Sequence, residues 1–244
     1  MNKNIYRKIV AAALVAGAGT VWAQGSDRPN AWVALSASGF LDTNKTVKVA
    51  LQEETRFGDR HLNEVHTQGS IAFKVTDWLT FAPRLHQVYS RNDSIEGRGK
   101  ANKNGKVDHG WDSELRVGAD TTLSYDLHGW KFSDRNRVVY RVYEDDEGFW
   151  RYRNQIGVDA PWKWTEYKIQ PYATWEGFLD DGKPAKHVRK NDKFDAWWGT
   201  VGFKARVTDR LGINLFYRLV DKKDTAKHSW DPTHVIGLYA NLTF

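Results

Sequence analysis

Residues 111–125 read WDSELRVGADTTLSY. Trp111, Leu115, Val117, Ala119, Leu123 and Tyr125 share one parity; Asp112, Glu114, Arg116, Asp120, Thr122 and Ser124 share the other. Successive side chains of a strand point to opposite faces, so this period of two predicts a strand with one apolar and one charged face.

The pattern recurs along the chain. Val47, Val49 and Leu51 oppose Lys48, Gln52 and Glu54; Leu79, Phe81 and Leu85 oppose Thr80, Arg84 and His86. Val138, Tyr140 and Val142 oppose Arg137 and Arg141; Trp150, Tyr152 and Ile156 oppose Arg151, Arg153 and Gln155. Tyr167, Ile169, Ala173 and Trp175 oppose Lys168, Gln170 and Glu176, and Val201, Phe203 and Ala205 oppose Lys204 and Arg206. Leu215, Tyr217 and Leu219 oppose Asn214 and Arg218, and the chain ends on Ile236, Leu238, Ala240, Leu242 and Phe244 in alternation. Segments of this kind have the length of about 9–11 residues that a tilted strand needs to cross a bilayer. In lipid only a closed sheet satisfies its own backbone. The expectation is therefore an all-β, transmembrane, antiparallel up-and-down β-barrel of ten strands, with twelve as the alternative. Apolar faces would meet lipid and charged faces the lumen.

Connections set the orientation. Residues 76–77, 126–129, 160–161 and 208–210 are short turns; 91–110, 180–193 and 221–233 are longer and polar, and 144–147 joins their side. Short turns belong to the periplasmic side of such barrels and long loops to the outside. Residues 31–41 resemble an eleventh strand, whereas bacterial barrels have even strand numbers. They read as a lumen plug or hook, or as one of twelve strands. Pro83 and Pro171 fall inside strand patterns, where a ladder donor is lost and a bulge is the expected remedy.

The first residues have their own logic. Lys3, Arg7 and Lys8 precede a short apolar run over 9–19, and Val21-Trp22-Ala23 is a small-x-small cleavage signal. This is the pattern of a secretory signal peptide over 1–23, leaving 24–244 as the barrel. Losing those three bases lowers the formal charge from +6 to +3. Export and the lack of a dense basic run argue against nucleic acid as a partner. The absence of cysteine excludes disulfide and thiolate chemistry.

Twelve tryptophans are many for a chain this polar. Trp78, Trp130, Trp162 and Trp164 lie by short turns, and Trp111, Trp150, Trp175 and Trp197 toward the other ends. An indole has an apolar body and a polar N–H, which suits the headgroup level, and two aromatic girdles are expected of a membrane barrel. The alternative is that they fill a core.

The candidate functional surface is the lumen. Lys48, Lys74, Arg84, Arg116, Arg137, Arg141, Arg151, Arg153, Lys168, Lys204, Arg206 and Arg218 fall on its parity, against Glu54, Glu114, Asp120 and Glu176. Rings of bases favour anions. Small anionic solutes are then the expected partners, and Tyr143, Tyr172 and Trp198 on the same face suit a sugar. The competing reading is a non-conducting interior plugged by Arg–carboxylate pairs, since ten strands enclose a narrow space. A third is a barrel hydrolase using Asp108 and His109. No G-x-S-x-G, H-E-x-x-H or Walker loop is present, and His61, His66 and His86 lack metal-ligand spacing, so no enzyme, cofactor or metal site is expected.

The stretches 137–141 (RVVYR), 150–153 (WRYR), 170–176 (QPYATWE) and 234–244 (HVIGLYANLTF) resemble the bacterial family described as domain of unknown function 2490. That resemblance implies an outer-membrane barrel and no particular activity. The terminal Phe244 on an alternating last strand is similar to the signal read by the barrel-assembly machinery. In architecture and charge the chain is also similar to small porins specific for acidic oligosaccharides.

Overall fold

A computed structural model describes residues 30–58, 61–91, 111–143, 148–181, 193–224 and 229–244. Segment 1–23 lies outside these residues. All regular elements described are strands: β1 (Asn30–Phe40), β2 (Val47–Gly58), β3 (His61–Lys74), β4 (Leu79–Arg91), β5 (Trp111–Leu127), β6 (Trp130–Tyr143), β7 (Phe149–Asp159), β8 (Gln170–Asp181), β9 (Phe194–Arg206), β10 (Leu211–Asp224) and β11 (Ser229–Thr243). They form one closed barrel in the order β1-β11-β10-β9-β8-β7-β6-β5-β4-β3-β2.

The expected count of ten, or twelve, is corrected to eleven. Residues 31–41 are neither plug nor hook, because β1 is part of the wall. It pairs antiparallel with β2 from Ala31↔Phe57 to Phe40↔Lys48, and parallel with β11 from Asn30↔Val235 to Ser38↔Thr243. Each hairpin reverses the chain, so after ten reversals β11 runs in the same sense as β1. A parallel ladder is only slightly weaker than an antiparallel one, and it closes the odd ring.

Local chemistry fixes the turns. His128 and Gly129 both have positive φ, 49° and 83°, between the paired residues Leu127 and Trp130. This is a two-residue hairpin of the twist-matched kind that favours glycine. Between β1 and β2 the Asp42 carboxylate accepts from the Thr46 hydroxyl at 2.7 Å, the Thr46 amide at 2.9 Å and the Val47 amide at 2.7 Å. The Thr46 hydroxyl, then these amides, hold its carboxyl below the ordinary range. Pro83 needs no bulge: the β3–β4 register is the same on both sides of it, while the pairs at 71–72 drop out of the ladder. Pro171 sits second in β8, where its carbonyl accepts from Ala160 N at 3.0 Å.

The barrel is inside-out relative to a water-soluble one. Leu85, Ile156 and Val201 leave 54–56% of their surface exposed on the outer face. Arg141 and Glu176, each 2% exposed, are buried inside. Polar side chains that interrupt the apolar exterior pair with one another, as Gln87 does in donating to Ser113 at 2.8 Å. Asn154 donates to Asp134 at 2.6 Å and to Asn136 at 3.0 Å, and Thr67 donates to Glu53 at 2.6 Å.

One interior row backs the wall with rings. Tyr172, Gly202, Phe216, Gly237 and Trp32 are successive cross-strand partners on β8, β9, β10, β11 and β1. Glycine at the second and fourth places lets the rings lie against the sheet. A Cβ on Gly237 would overlap the Phe216 ring, and one on Gly202 would stand 2.8–2.9 Å from the Phe216 and Tyr172 side chains.

Candidate functional site

Alternation places the interior side chains, and cross-strand register then decides which charges meet. Glu114 faces two guanidiniums at once. Arg116 donates through Nε and an Nη at 2.7 Å each, and Arg141 donates through Nε and through Nη2 at 2.9 Å. The Arg141 guanidinium also lies over the Phe149 and Tyr143 rings at 5.1 and 5.3 Å. Asp120 is held bidentately by Arg137 at 2.6 and 2.8 Å and by Arg84 at 3.0 Å. Glu176 takes Arg153 at 2.8 Å and Arg135 at 3.4 Å. Arg151 bridges Asp180 and Asp195 at 2.5 and 2.7 Å. Glu54 pairs with Arg56 at 2.6 Å and accepts from Tyr239 Oη at 2.5 Å. Fork-to-fork pairs of this kind are the strong form of charge-assisted hydrogen bond.

The sequence-expected residues therefore divide. Arg84, Arg116, Arg137, Arg141, Arg151, Arg153 and the acids Glu54, Glu114, Asp120 and Glu176 form the interior network. Lys204 reaches Asp159 at 2.5 Å near the short-turn end. Lys168 is not on a strand; it closes the turn that precedes β8, at φ 50°. Arg206 is 54% exposed beside Asp209 at 3.7 Å, outside the network. Trp78, Trp111, Trp130, Trp150, Trp162, Trp164 and Trp175 are all exposed on the outer surface. Trp175 sits in mid-strand opposite Ile156 and Gly199, and Trp197 is half-buried opposite Gly177. Phe244 donates its backbone N–H to Ser38 at 2.9 Å and leaves its ring exposed. Asp108 and His109 lie outside the described residues.

Sequence reasoning missed Arg56 and Arg135, although each continues the parity of a named neighbour. It also put Asp180 in a loop and did not count Glu64, Asp159 and Asp195 among the interior acids. All four pair with interior bases; with Arg56 and Arg135 added and Lys168 and Arg206 set aside, twelve bases face eight acids, and the apparent excess of eight positive charges falls to four.

Two further features complete the interior. Glu64, His66 and His86 form a chain: His66 Nε2 lies 2.8 Å from a Glu64 oxygen, and its Nδ1 lies 3.0 Å from His86 Nε2. An ionised Glu64 requires the proton on His66 Nε2, and with His66 neutral His86 then donates through its own Nε2. Second, Trp198 on β9 reaches inward between guanidiniums from opposite walls. Arg56 on β2 lies 5.9 Å from its ring centre and Arg153 on β7 lies 5.2 Å away. Trp32 packs on it edge-on at 5.4 Å and Phe178 at 4.6 Å. This layer crosses the barrel. On its short-turn side lies a cavity of ≈480 Å³, with Lys131, Asp159 and Lys204 at the rim and Glu54, Arg135, Glu176, Trp198 and Arg218 deeper. Among the described residues no cluster of three metal-ligating side chains occurs.

No curated protein matches the chain. The family model described as "Protein of unknown function (DUF2490)" matches residues 29–230, which takes in the strands from β1 to β10. The chain belongs to the DUF2490 family.

Proposed function

We propose that this protein is exported by its N-terminal segment, is assembled through its Phe244-terminated last strand, and spans the bacterial outer membrane as a barrel with a charge-paired, closed interior. The observation that carries the membrane reading is the inversion of the fold: large aliphatic side chains outside, buried arginines and carboxylates inside. A water-soluble chain rarely leaves so continuous an apolar surface uncovered, whereas lipid requires it.

Closure rests on the pairing. Arginines held bidentately by carboxylates offer little to a passing anion, and the Arg56–Trp198–Arg153 layer stands in its path. The channel for small anionic solutes, such as acidic oligosaccharides, is the second reading. It is favoured by the several bases that line the short-turn cavity.

The test is single-channel recording of the refolded mature protein in planar bilayers under a salt gradient, with a heat-shifted gel band as the folding control. The closed interior predicts a folded and silent barrel. Anion-selective steps from folded protein overturn it in favour of the channel.

A further inference from the structure

Every interior arginine named so far has a carboxylate partner except one. Arg218 on β10 donates Nε to Thr200 Oγ1 at 2.8 Å and packs on the Trp32, Trp198 and Phe216 rings at 5.0, 4.9 and 4.9 Å. Among the described residues it forms no ion pair. Its two terminal nitrogens remain as a planar fork of donors, the shape that matches a carboxylate.

Three other groups, on residues that line the same cavity, lack a partner. Arg135 Nε, Trp198 Nε1 and Asn214 Oδ1 are buried and make no hydrogen bond among the described residues. Buried polar atoms are nearly always satisfied, so orphans gathered in one cavity call for a ligand or ordered water. The neighbouring carboxylates Glu54, Glu176 and Asp159 line the cavity too. A multiply charged anion meets them more unfavourably than a single negative charge carried with neutral polar groups.

We propose that the cavity is a binding site for a small hydroxylated monocarboxylate that enters from the short-turn end. Its carboxylate takes the Arg218 fork, with the Arg135 and Trp198 N–H groups as further donors. A hydroxyl donates to Asn214. The carbon skeleton lies against the Trp198, Tyr172 and Tyr239 rings. The volume is in the range of ordinary small-molecule sites, which begin at about 300 Å³. The site does not depend on whether the barrel conducts.

The experiment is isothermal titration of the folded mature protein in detergent with sodium glucuronate, alongside glucose and inorganic phosphate. Saturable glucuronate binding is expected, with no binding of glucose and weaker binding of phosphate. Arg218→Gln should weaken it by about tenfold or more, the usual cost of losing a charged hydrogen-bond partner. Trp198→Phe keeps an aromatic ring, removes the N–H and should weaken it less; it serves as the probe if Arg218→Gln fails to fold. No saturable binding by folded wild type overturns the site, as does phosphate binding that equals or exceeds glucuronate binding. Glucuronate affinity unchanged in whichever variant folds does the same. Glucuronate binding by a barrel that also conducts overturns the closed interior and leaves this site standing; a silent folded barrel that binds nothing overturns the site alone.

Discussion

At Glu114 one carboxylate pairs with two guanidiniums, and Arg141 is 2% exposed. Glu114→Ala leaves both cations buried without it. Breaking a buried ion pair by removing one partner costs about 3–5 kcal/mol, so the variant should unfold at clearly lower denaturant concentration in detergent. Arg206→Ala supplies the contrast. Its pair with Asp209 is exposed and 3.7 Å long, and such pairs contribute about 0–1 kcal/mol; the unfolding midpoint should be unchanged. Equal midpoints for the two variants would refute the distinction drawn between network and rim. The sequence shows which face Glu114, Arg116 and Arg141 take, because parity is a local property. It does not show that they share one site, because that follows from the register Glu114↔Tyr143 and Arg116↔Arg141, which joins distant segments. Asp180 and Asp195 were hidden for a related reason: at strand ends, polar residues of a loop and of an interior read alike.

At the scale of the element, β1 and the glycine–aromatic row carry the argument. Gly237→Val would drive a branched side chain into the Phe216 ring, which is 3% exposed and walled in. Overpacking of this kind costs about 1–3 kcal/mol. Gly237→Ala combined with Phe216→Leu should recover much of the loss seen in Gly237→Ala alone, measured by thermal loss of the heat-shifted band. Failure of the double variant to recover would mean that the glycine serves the backbone rather than the ring. The remaining strands were legible because each spans many alternating residues. β1 (Asn30–Phe40) was visible as a strand pattern but was not settled as wall, since an even strand number left no place for an eleventh strand. Only the parallel partner on β11, some two hundred positions away, fixes its place.

For the whole molecule, the distribution of rings gives a direct reading of the surroundings. Trp78, Trp150, Trp162 and Trp164 face outward at 50–56% exposure, whereas Trp32 is 6% exposed inside. Single-tryptophan variants in bilayers of brominated phospholipid should show strong quenching for the outward set and little for Trp32. Equal quenching would sink the membrane-facing assignment. The inversion behind this was readable from sequence, because it needs only parity and composition. The filling of the interior was not, because space left inside a ring depends on how side chains from opposite walls interleave.

The parallel closure carries a consequence for sidedness. In a barrel with an even number of strands both ends of the sheet emerge on the same rim. Here Asn30 enters at the rim of the long loops, and Phe244 leaves at the rim of the short turns. In a membrane-spanning barrel, as proposed above, an epitope placed just ahead of Asn30 and another placed after Phe244 would therefore be read from opposite compartments of the same cell.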